Sequence, residues 1–148
     1  MKCIGIIWNS AFQYKEEITK IISRYALSIE RQFEMDLGNQ FEEFIWGIYM
    51  SESMEMWKIE SKISHMQLSS GRSIQIIIFE IDANAKRYHE KKKKYVYSNL
   101  QELKDLLRSS YRDRVQNYFF DIIFHCTETE EEYQKCYEII KKYIQKIN

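Results

Sequence analysis

Apolar residues in this 148-residue chain recur at two different spacings, and the order in which those spacings alternate leaves few folds open. A period of two marks a strand with one wet face, a period near 3.6 marks an amphipathic helix, and short continuous apolar runs mark buried strands. Cys3–Trp8 is such a run, ended by Asn9-Ser10. Ile18, Ile21, Ile22 and Tyr25 predict a helix over about residues 13–26. Ile29, Arg31, Phe33, Met35 and Leu37 then alternate with Glu30, Gln32, Glu34 and Asp36, the pattern of a half-exposed strand. Phe41, Phe44, Ile45 and Ile48 define a second helix, and Met56, Ile59, Ile63 and Met66 a third over about residues 52–66. After the turn-forming Ser69–Ser73 cluster, Ser73–Ile81 is rich in β-branched residues and reads as a long strand. Residues 82–96 are polar, and either form a hairpin in which Tyr95-Val96-Tyr97 pairs or remain a mobile loop. Ser98 and Gln101 have the form of a capping box opening a helix of Leu100, Leu103, Leu107 and Tyr111 that reaches about Arg114. Tyr118–Phe124 reads as the last strand. A final helix carries Tyr133, Tyr137, Ile140, Ile144 and Ile147, capped by Thr129 with Glu132 or by Thr127 with Glu130.

With the middle helix pair set aside, this order is βαββαβ plus a closing helix. The expected class is α+β: a ferredoxin-like split βαβ sandwich, with a four-stranded antiparallel sheet, helices on one face, an inserted helical hairpin and a C-terminal helix. Residues 1–148 read as a single domain, long enough to bury a core without covalent staples. Twenty-two basic and twenty-two acidic residues cancel, so no global charge argues for nucleic acid or a membrane surface. The absence of a signal-like start and of a long apolar run, with three cysteines at no metal-ligand spacing, predicts a cytoplasmic protein. Proline is absent and the four glycines lie far apart, which excludes a glycine-rich phosphate cradle. Any anion site must use side chains and helix N-termini.

The stretch Asp121–Glu132 is where chemistry concentrates. An apolar run ends on His125, and Thr127, Glu128 and Thr129 lead straight into a helix start. An imidazole there can act as a nucleophile or general base toward a phosphoryl group, with Thr127 and Glu128 to orient it, or simply satisfy backbone groups. Arg108 and Arg112 lie four apart on one helix face and can grip a phosphate with forked hydrogen bonds, or form an ordinary solvated surface. Lys91–Lys94, near Arg87, Tyr88 and Tyr95, is a basic run that can meet phosphate or single strands, although such runs are usually just hydrated. Trp57, among Met54, Met56 and Met66, can stack on a base or fill the core. His65 and His89 have no ligand-like neighbours in sequence. Cys126 adjoins His125, but neighbours on a strand point to opposite faces, so the two do not make a nucleophile–base pair.

These residues resemble the nucleoside diphosphate kinase family. In that family an arginine precedes the last strand, which ends in His-Gly-Ser-Asp-Ser before an acid-containing helix, and the histidine is phosphorylated in catalysis. Here Arg112 is followed, at the same spacing, by His125-Cys126-Thr127-Glu128-Thr129. The family's Lys-Pro-Asp falls on Trp8-Asn9-Ser10, its asparagine three residues before the histidine on Ile122, and its acid eleven residues after on Cys136, with Glu130, Glu131 and Glu132 as substitutes. The glycine-rich loop before the arginine is replaced by continuous helix. The resemblance implies a nucleotide- or phosphate-binding domain, and a phosphotransferase (a kinase, hence a transferase) with His125 as catalytic residue. Arg108, Arg112, Thr127 and Glu128 would bind the substrate and Trp57 would stack on its base. It further implies Mg2+ carried on the nucleotide phosphates with no dedicated metal ligands, and allows a homo-oligomer. Two other readings stay open: a non-catalytic nucleotide-sensing or protein-interaction module, and a small RNA-binding domain. The strand IQIIIFEI lacks the basic–glycine–aromatic signature that would favour the RNA reading.

Overall fold

The computed structural model describes residues 1–84, 86–115, 118 and 121–147, with side chains to 145. Strand β1 spans Lys2–Ile7. A 3₁₀ segment, Asn9–Tyr14, leads into helix α1, Lys15–Tyr25, which buries Ile18 and Ile22 and carries Glu16 and Glu17 in its first turn, where the helix dipole favours acids. Strand β2 is Ser28–Asp36, and its mostly exposed side chains match the alternating pattern of an edge strand. Helices α2, Phe41–Ser51, and α3, Met56–Met66, form the inserted hairpin. Strand β3, Ser73–Glu80, is buried through its middle.

Between β3 and the next helix the polar segment forms the hairpin alternative. Strands β4, Lys86–His89, and β5, Lys94–Tyr97, pair antiparallel, with Tyr88 opposite Tyr95 and Val96 buried. Lys93 takes a left-handed φ of 52° to close the turn. Helix α4, Ser98–Tyr111, begins directly after β5. The capping box expected at Ser98 does not form: Tyr97 occupies the cap position without a side-chain bond, and Gln101 donates to Asp105 and accepts from Lys92 instead.

The last strand differs most from expectation. Strand β6 is Phe124–Cys126, not Tyr118–Phe124, of which residues 119 and 120 lie outside the described residues. The reason is Asp121. Its Oδ1 accepts the N–H groups of Ile123 (3.1 Å) and Phe124 (3.2 Å), turning the backbone before it can join the ladder. Helix α5, Glu130–Ile147, then starts on the Thr129 and Glu132 pair: Thr129 Oγ1 accepts the Glu132 N–H, while the Glu132 carboxylate reaches back to the Glu128 N–H.

The four-stranded sheet runs β2-β3-β1-β6, antiparallel at every step, which is the ferredoxin-like order. Strands β1 and β3 occupy its centre and are buried on both faces, which explains their near-continuous apolar sequences. One face carries Ile4 and Ile6, and Trp8 just beyond them packs on Phe44 and Tyr49 of α2. Phe44 meets Tyr143 of α5 edge-on at 5.2 Å. Helix α1 packs against α4. Among the described residues no helix is long and apolar enough to cross a membrane.

Gly5 sits where β1 passes β6. A Cβ built there would lie 2.7 Å from the Phe124 ring and 3.3 Å from that of Phe79. Both rings are buried, so neither can swing into solvent. Gly5→Ala is therefore expected to cost about 1–3 kcal/mol by overpacking, read as a lowered denaturant midpoint at unchanged slope.

Candidate functional site

Strand β6 is an edge strand, bonded to β1 on one side only among the described residues. His125 pairs with Ile6 and so stands on the same face as Ile6; Cys126 pairs with Gly5 and stands on the other. The imidazole is wedged between the Tyr49 ring (5.1 Å, edge-on) and the Trp8 ring (6.5 Å), and its side chain is 10% exposed. Beyond the free side of β6, the end of α2, helix α3, helix α4 and the tip of the β4–β5 hairpin close around a cavity of about 210 Å³.

Five cations and three carboxylates line that cavity with His125. Glu52, just past the end of α2, places Oε2 at 2.7 Å from His125 Nε2, an ion-pair distance off the line of an aligned hydrogen bond. Burial pushes the Glu52 carboxyl up, but His125, Glu132 and Lys104 together pull it down further, so the net shift is downward. Glu132 is moved the other way, by burial and by the charge of Glu52.

On the opposite wall Arg108 Nε donates to Asp121 Oδ2 at 2.7 Å. Burial opposes the guanidinium charge, and Asp121 together with Asp105 and Tyr118 more than offsets it. Asp121 thus turns the backbone ahead of β6 with one oxygen and aims Arg108 with the other. Lys62 of α3 donates to the Asp121 carbonyl at 2.6 Å and lies 5.1 Å above the Tyr49 ring. It is only 6% exposed, and burial pulls its ammonium down to about 8. Glu128 collects three lysines: Lys104, Lys94 at 2.7 Å and Lys92 at 3.4 Å. Burial alone would raise the Glu128 carboxyl, but Lys104 and Lys94 hold it far below the usual carboxylate range.

The fold gathers His125, Arg108 and Glu128 into one cavity but leaves the other predicted residues outside it. Arg112 follows α4 in an exposed turn and does not line the cavity. Thr127 is fully buried, and its Oγ1 accepts the Ile4 N–H at 2.9 Å, which locks the strand end rather than orienting the histidine. Glu128 holds lysines rather than His125. Trp57 is 52% exposed at the start of α3, donates to Glu55 at 2.5 Å, and does not line the cavity. Asn9, at the position of the family's proline, ties β1 to the far end of α3 by donating to the carbonyls of Met66 and Gly71. Of the basic run, Lys92 and Lys94 turn inward to Glu128.

Glu52, Lys62 and Lys104 were not singled out from the sequence, and Asp121 only as the start of the Asp121–Glu132 stretch, yet the two lysines carried a signal. Lys62 falls three residues after Ile59 and four before Met66; Lys104 falls four after Leu100 and three before Leu107. Both are lysines on the apolar stripe of a helix, where a charge is costly unless something distant neutralises it.

The same architecture occurs in solved structures. The chain superposes on the nucleoside diphosphate kinase of Aquifex aeolicus with a TM-score of 0.54 at 14% identity, covering 94% of this chain and 93% of that one. It matches the Borrelia burgdorferi nucleoside-diphosphate kinase, solved with bound vanadate and ADP as a transition state mimic, with a TM-score of 0.55 at 10% identity over 94% and 85% of the two chains. The fold is nucleoside diphosphate kinase-like. No protein-family model matches the sequence. No curated protein matches it either. At these identities the likeness establishes the nucleoside diphosphate kinase-like fold, and the chemistry must be argued from the cavity.

Proposed function

We propose that the His125 cavity binds the phosphates of a nucleotide or similar phosphorylated small molecule, and that His125 accepts a phosphoryl group from it. The observation that carries this reading is the convergence of one buried imidazole with Lys62, Lys104 and Arg108 in a single cavity. A carboxylate 2.7 Å from Nε2 favours the proton on that nitrogen and leaves the lone pair on Nδ1. Nδ1 attacks phosphorus; the bond to the bridging oxygen breaks and its electron pair leaves with the shortened nucleotide. The positive charge gained by the ring is offset by the Glu52 carboxylate beside Nε2. An acceptor phosphate oxygen then attacks the same phosphorus, the P–N bond breaks, and its pair returns to Nδ1. Lys62, Lys104 and Arg108 offset the negative charge of the transferring group.

Among the described residues no three His, Cys, Asp or Glu side chains cluster to hold a metal. The cavity's carboxylates face cations or the imidazole, so the residues do not offer a resident Mg2+ site, and magnesium would enter bound to the ligand's phosphates. Incubation with γ-labelled ATP tests the proposal: the wild type should take up an acid-labile, base-stable label that His125→Ala lacks. An unlabelled wild type, or equal labelling of the variant, sinks the transfer step.

A second reading, a nucleotide-sensing module without turnover, is favoured by one observation: Glu128 already pairs with Lys92, Lys94 and Lys104. Thermal stabilisation by nucleotide without labelling would select it; a ligand at a hundred times its dissociation constant raises stability by about 2.7 kcal/mol. An RNA-binding sheet is disfavoured because β1 and β3 bury both faces.

A further inference from the structure

We propose that the groove between the β4–β5 hairpin and the first turns of α5 receives the flat base of the same ligand whose phosphates lie at His125. This rests on the phosphate reading above. The His125 cavity, at about 210 Å³, falls below the roughly 300–1,000 Å³ of sites that enclose a drug-sized molecule. It has room for phosphates but not for a whole nucleotide. The neighbouring groove is about 620 Å³, and Lys94 and Glu128 line both spaces. The two are therefore adjoining rooms with a shared wall.

The groove's lining suits an aromatic ring next to an anion. Tyr95, Tyr97 and Tyr133 present ring surface, and Lys2, Lys86 and Lys94 supply positive charge. Tyr133 is backed by Tyr137, its ring only 13° from parallel at 6.0 Å, so it forms a braced platform. Tyr95 is 59% exposed, with the Tyr88 ring edge-on at 5.4 Å and Lys86 4.9 Å from its centre. Gln134 and Glu130 at the rim can accept hydrogen bonds from the edge of a base. Trp57, the aromatic that the resemblance points to for this task, lines neither space.

The test is calorimetric titration of the full chain with two probes, adenosine diphosphate and inorganic tripolyphosphate. Tyr133→Ala and Tyr95→Ala should each weaken adenosine diphosphate by about 5- to 150-fold, the range measured for losing one base-stacking ring. Tripolyphosphate binding should be unchanged in both, and Trp57→Ala should alter neither probe. Tyr133→Phe, which keeps the ring, should bind like wild type and shows that the effect is stacking rather than misfolding. If both tyrosine variants hold adenosine diphosphate within twofold, or if Trp57→Ala is the variant that weakens it, the groove is not the base site while the phosphate site stands. Equal loss of both probes in the tyrosine variants also overturns the groove. If the wild type binds neither probe, the phosphate reading fails and this one with it.

Discussion

Glu128→Ala should destabilise the protein by about 3–5 kcal/mol, because it strands a buried ammonium without its partner. Lys104 is 7% exposed on the inner face of α4, and the Glu128 carboxylate is the group that meets its Nζ. Lys92 and Lys94 are more exposed and can return to water, so most of the loss falls on Lys104. Removing both charges should then restore much of the stability: Glu128→Ala with Lys104→Met is expected to unfold at a higher denaturant concentration than Glu128→Ala alone. A double-mutant cycle reads the coupling directly, and additive single changes would show that the pair is not coupled.

The acid dependence follows from the same pair. Glu128 has its folded carboxyl held below the unfolded value of about 4.3, so it contributes stability above that pH. As pH falls through and below about 4, the unfolded chain binds the proton more readily and the contribution is lost. The stability gap between wild type and Glu128→Gln should be constant above about pH 5 and shrink steadily below about pH 4. Denaturant midpoints measured across that range check the sign; a gap that widens in acid would contradict it.

The second large effect is expected at Glu52. Glu52→Gln should slow phosphorylation of His125 by about 10²–10⁴-fold, the usual worth of a group that sets a catalytic proton. The amide can donate to Nε2 where the carboxylate could only accept, which moves the ring proton to Nδ1 and removes the lone pair from the attacking nitrogen. It also withdraws the negative charge that shares the imidazolium. Nucleotide affinity should change little, because Glu52 faces the ring rather than the phosphates. Single-turnover labelling gives the rate, and imidazole ¹⁵N shifts give the tautomer. An unchanged tautomer with an unchanged rate would remove Glu52 from the mechanism.

The sequence was readable wherever a residue's neighbours along the chain decide its environment. The Ile29–Leu37 alternation became β2 because an edge strand keeps one face wet, and the Ser73–Ile81 run became the buried β3. Tyr118–Phe124 misled for the opposite reason. Its apolar composition promises a strand, but one carboxylate, Asp121, binds two backbone N–H groups and delays the ladder until Phe124. Ser98-x-x-Gln101 had the form of a cap, yet β5 runs straight into α4 and leaves the serine no cap to make. At the site, Arg108 and His125 were visible because helix register and strand end are local properties. Glu52 was not, since nothing in its own segment marks it.

By itself, the sequence determined the order of strands and helices and placed His125 where a strand hands over to a helix. Spacing alone controls those, because backbone periodicity is set within a few residues. Only the tertiary structure decided which charges His125 would meet. Among the described residues strand β6 lies at the edge of the sheet, and the end of α2, the stripe lysines of α3 and α4, and the hairpin tip gather beside it. A lysine on an apolar stripe announces that a distant partner must exist; only packing names it as Glu128 or Asp121.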